Sequence, residues 1–306
     1  MQKVLIDCDP GTDDLCAIVL AAHLADVVGI VSVSGNVPLE HTTRNALFAA
    51  ELTGLECPVV EGAAMPLSGE PRFARGVHGE TGLGDVALPQ VRRTLLGEDA
   101  TEFLLRMSRE YKDLWIVAIG PLTNIALAVQ ADDGFAHRLG GISVMGGSVG
   151  GGNTTAAAEF NFWADPEAAD VVLSSGARMR LCGLNLTQQV LLDEAFIERV
   201  AGLDSPEINL VREVLSFMVQ VAEKRTGRRL SPLHDPCAVA AVTHPQLFEF
   251  TERPVQIELD GTLTRGMSVV DERTSLDVAP ANVEVAYGVD REALFQLMFD
   301  AVADLE

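Results

Sequence analysis

KVLIDCDPGTDDLCAIVLAAHLADVVGIVSV, from Lys3 to Val33, reads as a strand, an acidic turn, a helix and a second strand. Lys3–Ile6 and Val27–Val33 are short, nearly continuous apolar runs of strand length, and Asp13–Ala25 between them carries helix formers with apolar positions three and four apart. Strand, helix and strand in this order imply two parallel neighbours in one sheet, since the helix carries the chain back to the same edge. The pattern recurs. Leu114–Ile119, Gly141–Met145 and Arg178–Cys182 read as further strands, and Leu39–Leu52, Ala100–Tyr111, Asn124–Gln130 and Pro166–Ser174 as helices. The expected fold is α/β, a single domain over residues 1–306 with a mostly parallel central sheet flanked by helices.

From Asp193 onward the chain turns helical, over Glu194–Val200, Glu207–Lys224 and Cys237–Val242. Strand-like runs follow at Val255–Leu259, Met267–Val270 and Val283–Ala286, and Arg291–Leu305 closes the chain as a helix. Gly62–Gly97 is long, irregular and rich in Pro and Gly, the composition of a mobile flap beside a site.

Aromatic residues make up only 5% of the chain while hydrophobic residues reach 48%, which suits small-residue packing of helices on a sheet. The 44 acidic and 22 basic side chains give a formal charge of −22, a field that repels phosphate backbones and anionic membranes and raises the local cation concentration. Nucleic acid and membrane surfaces are therefore unexpected partners, and neutral small molecules or metal ions fit better. Cys8, Cys16, Cys57, Cys182 and Cys237 contain no CxxC pair and sit mostly in apolar runs, as reduced thiols do. The segment before Val4 holds no charged leader followed by an apolar stretch, so a cytoplasmic location is expected.

In a parallel sheet ligands bind beyond the carboxyl ends of the strands. The loops there are DCDPGTDD after Ile6, SGN after Val33, GPLTN after Ile119 and GGSVGGGN followed by EFN after Met145. Asp7, Asp9, Asp13 and Asp14 lie within eight residues at the end of a strand and the first turn of a helix. A helix N-terminus favours one carboxylate as a cap, but four together repel one another unless a cation sits among them, and hard oxygen ligands call for Ca²⁺ or Mg²⁺. An EF-hand loop starting at Asp7 needs Gly and Glu where Thr12 and Ile18 stand. An aspartyl-phosphate phosphatase motif fits less well, because Pro10 and Gly11 displace the threonine by one position.

DCDPGTDD, Gly35–Asn36, HGETGLG at His78–Gly84, GPLTNIA at Gly120–Ala126, MGG at Met145–Gly147, EFNFWADPEAA at Glu159–Ala169 and HDPCAVA at His234–Ala240 together resemble the inosine-uridine type nucleoside hydrolase family. The likeness runs nearly end to end. It implies a single α/β domain and Ca²⁺-dependent hydrolysis of the N-glycosidic bond of ribonucleosides, purine or pyrimidine, to ribose and free base, in nucleoside catabolism and salvage. By matching position, Asp9, Asp14 and Asp235 resemble the calcium-ligating carboxylates, Thr123 the residue that offers its carbonyl, and Asp9 also the general base. Asp13, Asn153, Glu159 and Asn161 match positions that hold ribose hydroxyls, Asn36 lies at the sugar edge, and Met145 joins them in binding substrate. His234 resembles the general acid for the departing base, and His78 in the flap is expected to reach base or sugar. Relatives form dimers or tetramers, so the resemblance also implies a homo-oligomer.

One departure concerns the base. Val221–Leu233 contains no aromatic residue where some purine-handling relatives carry a tyrosine, leaving Phe217 or Phe162 as substitutes. Two other classes remain as alternatives: a Mg²⁺-dependent aspartyl-phosphate type phosphatase and a non-catalytic nucleoside or ribose sensor. The first needs a Lys or Arg clamp near the strand ends, and the second needs neither Asp9 nor His234.

Overall fold

Lys3–Cys8 (β1) is buried from Val4 onward, and a strand buried on both faces belongs in the middle of a sheet. A computed structural model, which describes residues 1–84, 86–275 and 278–305, places it there. In chain order the other strands are Asp26–Ser32 (β2), Val59–Glu61 (β3), Trp115–Ala118 (β4), Gly141–Met145 (β5), Met179–Cys182 (β6), Leu191–Leu192 (β7), Ser231–Pro232 (β8), Phe248–Arg253 (β9), Val255–Ile257 (β10), Ser268–Val270 (β11) and Val283–Val289 (β12). The main sheet has eight of these in the order β3-β2-β1-β4-β5-β6-β12-β9. Every neighbouring pair is parallel except β12 and β9.

Apolar clusters fill both faces. The helices Thr12–Leu24, Leu39–Leu52, Pro206–Thr226, Pro236–Thr243 and Arg291–Ala303 cover one side, and Ala100–Glu110, Thr123–Ala131 and Pro166–Leu173 the other. All five cysteines are free thiols, and only Cys57 among them is more than slightly exposed. Among the described residues no helix is long and apolar enough to cross a membrane.

The expected α/β architecture is present, with differences at its margins. Both edge strands, β3 and β9, fall outside the expected set; β3 spans three residues, and β9 is only partly buried. The runs at β10 and β11 pair with each other alone, as a small antiparallel ladder outside the main sheet. The flap contains a short helix, Arg75–His78.

From β1 the chain builds outward through β2 and β3 on one side, then returns to β4 and continues through β5 and β6 on the other. That reversal opens a crevice beyond the carboxyl ends of β1 and β4, where the loops DCDPGTDD and GPLTN meet.

Candidate active site

The β1 loop turns directly into the helix Thr12–Leu24, and Asp14 locks that turn. Its carboxylate accepts from the backbone N–H of Gly11 at 2.9 Å and of Asp9 at 3.2 Å, and from Asn36 Nδ2 at 3.0 Å. Asn36 also donates its own N–H to Asp9 Oδ2 at 2.6 Å and its Nδ2 to the Asp9 carbonyl at 3.1 Å. The SGN loop thus aims the two aspartates. Space there is minimal, since a Cβ on Gly35 would stand 2.1 Å from Asp9 Oδ2 and one on Gly120 2.8 Å from Asp9 Oδ1. Asp9 Oδ1 is buried and has no hydrogen-bond partner among the described residues.

Asp235 arrives from more than two hundred residues downstream as the cap position of the helix Pro236–Thr243. Its carboxylate joins those of Asp13 and Asp14, with oxygens of all three within 4.8 Å of one another. The tight group thus contains Asp13, expected to face the sugar, while Asp9 stands beside it. No lysine or arginine pairs with Asp9, Asp13, Asp14 or Asp235 among the described residues. Burial first, and then the neighbouring carboxylates, push Asp9 and Asp235 well above the usual carboxylate range, Asp13 to about 7 and Asp14, by burial, to about 6. A buried acidic group with an orphaned oxygen and no lysine or arginine partner among the described residues fits a hard divalent cation.

Thr123 is buried and opens the helix Thr123–Ala131. Its hydroxyl donates to Asp165 at 2.6 Å, and like Asp9 and Asp14 it does not line the open cleft above. That cleft, of about 280 Å³, is lined by the other expected residues: Asp13, Asn36, His78, Met145, Asn153, Glu159, Asn161, His234 and Asp235. Glu159 caps the helix Phe160–Ala164, and its carboxylate accepts from the N–H groups of Asn161, Gly147 and Phe162 at 2.9 to 3.2 Å. Burial nonetheless raises it to about 7. Asn161 donates Nδ2 to the carbonyls of Ile119 and Met145, both at 3.0 Å, which ties it to the ends of β4 and β5. Asn153, more exposed, accepts from Phe160 N–H at 3.0 Å.

The two histidines are held by threonines. His78 Nδ1 accepts from Thr12 N–H at 3.2 Å, which fixes the other nitrogen, Nε2, as the one carrying the proton of the neutral ring. Burial, and the charges of His234 and Arg225, lower His78 to about 3. His234 Nδ1 lies 2.7 Å from Thr187 Oγ1, and burial lowers it to about 4.

The segment Val221–Leu233, expected on the base side, reaches the cleft, and Met218 beside it is an addition that the sequence does not single out. Met218, Val221, Ala222, Arg225 and Thr226 from the helix Pro206–Thr226, with Leu230, line the cleft opposite the acidic floor. An apolar stripe on a long helix reads the same whether it faces a core or a ligand. Neither expected aromatic substitute lines the cleft: the Phe217 ring packs on Gly84, and Phe162 is fully buried beneath Gly146 and Gly147. Phe160 does line it.

Comparison with known proteins agrees with this geometry. The profile of the inosine-uridine preferring nucleoside hydrolases matches residues 4–296. A pyrimidine-specific ribonucleoside hydrolase RihA of Shewanella sp. (strain ANA-3) is 39% identical, over 99% of this chain and 96% of that protein. The RihA of Photobacterium profundum is 37% identical, over 99% of both. Among solved structures, the plant nucleoside hydrolase PpNRh1 superposes with a TM-score of 0.92 at 32% identity, and a purine-preferring ribonucleoside hydrolase from Gardnerella vaginalis with 0.93 at 31%, each over 99% of both chains. An acidic floor at the sheet's switch point, a nucleoside-sized cleft above it and similarity along nearly the whole chain therefore agree: the chain belongs to the inosine-uridine preferring nucleoside hydrolase family, the N-glycosyl hydrolases of ribonucleosides.

Proposed function

We propose that this enzyme is Ca²⁺-dependent and cleaves pyrimidine ribonucleosides in preference to purine ones, releasing ribose and free base. The observation that carries the cation reading is the set of buried carboxylates at the end of β1, joined by Asp235, with Asp13 and Asp235 lining the cleft and no lysine or arginine paired to any of them among the described residues. Asp9, Asp14, Asp235 and the Thr123 carbonyl would hold the ion, and Asp13 stands close enough to share in the cluster. Bound there, calcium supplies Lewis acidity and a fixed positive charge that relieves the repulsion among the acids.

The chain's own groups divide the remaining work. Asp9, with one oxygen held by Asn36 and the other free, accepts the proton of the attacking water. Asp13, Glu159, Asn153 and Asn161 receive the ribose hydroxyls, a mixture of acceptors and donors that penalises a sugar lacking one of them. As the bond breaks the ribose ring becomes positive, and the surrounding carboxylates favour that state over the neutral substrate. His234, with Thr187 on Nδ1, keeps Nε2 for the departing base, while the flap helix Arg75–His78 lines the cleft and offers His78 Nε2–H.

Pyrimidine preference is supported by the names of the relatives at 37–39% identity and by the small, non-aromatic far wall of Met218, Val221, Ala222 and Leu230. A homo-oligomer, dimer or tetramer, serving nucleoside catabolism and salvage is carried by the family resemblance. The test is a panel of uridine, cytidine, inosine and adenosine, each with and without a chelator, read by reducing sugar. The reading expects chelator-sensitive ribose release, fastest from the pyrimidines. Turnover that survives exhaustive chelation defeats the cation assignment, and faster purine turnover defeats the base preference.

A further inference from the structure

We propose that Asp165 is a positioning residue that couples the cation site to the flap through Thr123 and Leu67. Asp165 is fully buried, and its two oxygens have different duties. Oδ1 accepts from Ala168 N–H at 3.1 Å and caps the helix Pro166–Leu173. Capping needs no more than that. Oδ2 leaves the helix altogether: it accepts from Thr123 Oγ1 at 2.6 Å and from Leu67 N–H in the flap at 2.8 Å. Thr123 opens the helix that follows β4, and its hydroxyl has no other partner among the described residues.

The next residue repeats the connection. Asn124 Oδ1 accepts from Ala63 N–H at 2.8 Å, at the start of the flap, while its Nδ2 donates to Asp7 Oδ2 at 2.8 Å and to the Ser32 carbonyl at 3.0 Å. The backbone lies so close there that a Cβ on Gly62 would stand 2.3 Å from the Ser32 carbonyl. Farther along, Arg72 donates to the Trp163 carbonyl at 2.7 Å and stacks over the Trp163 ring at 3.9 Å. The first part of the flap is therefore pinned at Ala63, Leu67 and Arg72 onto the Thr123–Asn124 step and the segment holding Asp165, and it ends by delivering His78.

A hydrogen bond to a carboxylate is stronger than one between neutral groups, and groups that orient a metal ligand commonly change affinity by about 10- to 100-fold. Coupling is reciprocal: if the ion steadies Thr123 and through it the flap, a steadied flap strengthens hold of the ion. This inference rests on the assignment of Thr123 to the cation made above.

Thr123→Val removes the hydroxyl and keeps the shape, Thr123→Ser restores the hydroxyl, and Asp165→Asn weakens the same link should the valine variant not fold. Calorimetric Ca²⁺ binding and amide hydrogen exchange over residues 63–80, with and without Ca²⁺, are the readouts. The expectation is binding about 10-fold weaker in Thr123→Val, with loss of the Ca²⁺-induced slowing of exchange, and both properties retained in Thr123→Ser. A Thr123→Val protein, or failing that an Asp165→Asn protein, that binds Ca²⁺ and protects its flap as the unaltered enzyme does would overturn the coupling alone. Failure of the unaltered enzyme to bind Ca²⁺ would overturn the cation assignment and the coupling with it.

Discussion

Glu159→Gln tests the electrostatics of the cleft floor. The Glu159 carboxyl is raised from 4.5 to about 7 by burial, despite the backbone N–H groups that favour its charge. Between those values the folded protein keeps a proton that the unfolded chain has lost, so the side chain contributes stability below about pH 4.5 and withdraws it as the pH climbs to about 7. A difference of that size corresponds to about 3 kcal/mol. With an unfolding entropy of about 2.1 cal/mol/K per residue, it amounts to roughly 5 °C in Tm for a chain of this length. Glutamine cannot ionise, and the acceptor it loses toward the Asn161, Gly147 or Phe162 N–H costs the same at every pH. Thermal unfolding of both proteins, stripped of cations by chelator, at about pH 4.5 and about pH 8 isolates the effect. The variant's Tm relative to the parent should rise by roughly 5 °C between the two conditions. An identical gap at both would refute the claim that burial governs this carboxyl.

Three further outcomes follow from the geometry. Asp9→Asn keeps the acceptor for Asn36 N–H but loses the base, so turnover should fall by at least about 10³-fold while calorimetry still detects ribose binding; full activity would remove Asp9 from the mechanism. Gly35→Ala places a Cβ 2.1 Å from Asp9 Oδ2 and should lower kcat about 10²-fold, whereas Gly97→Ala, with nothing within 4 Å of its new Cβ, should leave kcat unchanged. Size-exclusion chromatography with light scattering should give a dimer or a tetramer, and a monomer would correct the expectation drawn from relatives.

Much of the fold is legible in the sequence because strands buried on both faces cannot alternate. β1, β2, β4, β5 and β6 appear as apolar runs for that reason. Edge strands are harder to see, since β9 meets a neighbour on one side only and exposes half its side chains. The acidic floor and the polar lining stand at strand ends, where helix capping accounts for a single acid and four aspartates within eight residues call for a cation. What local sequence cannot supply is depth. The resemblance sets Asp9 with Asp14 and Asp235, whereas in the fold Asp13 stands in the closest group and Asp9 lies clamped between Gly35 and Gly120. The threonines behind the two histidines, Thr12 and Thr187, are likewise invisible until the chain is folded.

The placement of β12 has a consequence for biosynthesis. This strand, Val283–Val289, follows the other strands of the sheet in chain order, yet it sits inside the sheet, parallel to β6 on one side and antiparallel to β9 on the other. A nascent chain halted before it would present β6 as a bare apolar edge, an invitation to pair with another polypeptide. Asp235, emerging from the ribosome long after Asp9 and Asp14, imposes the same order on activity. The enzyme should therefore switch on only after Val289 has left the ribosome, and the emergence of β12, not early folding of the first strands, should time its appearance.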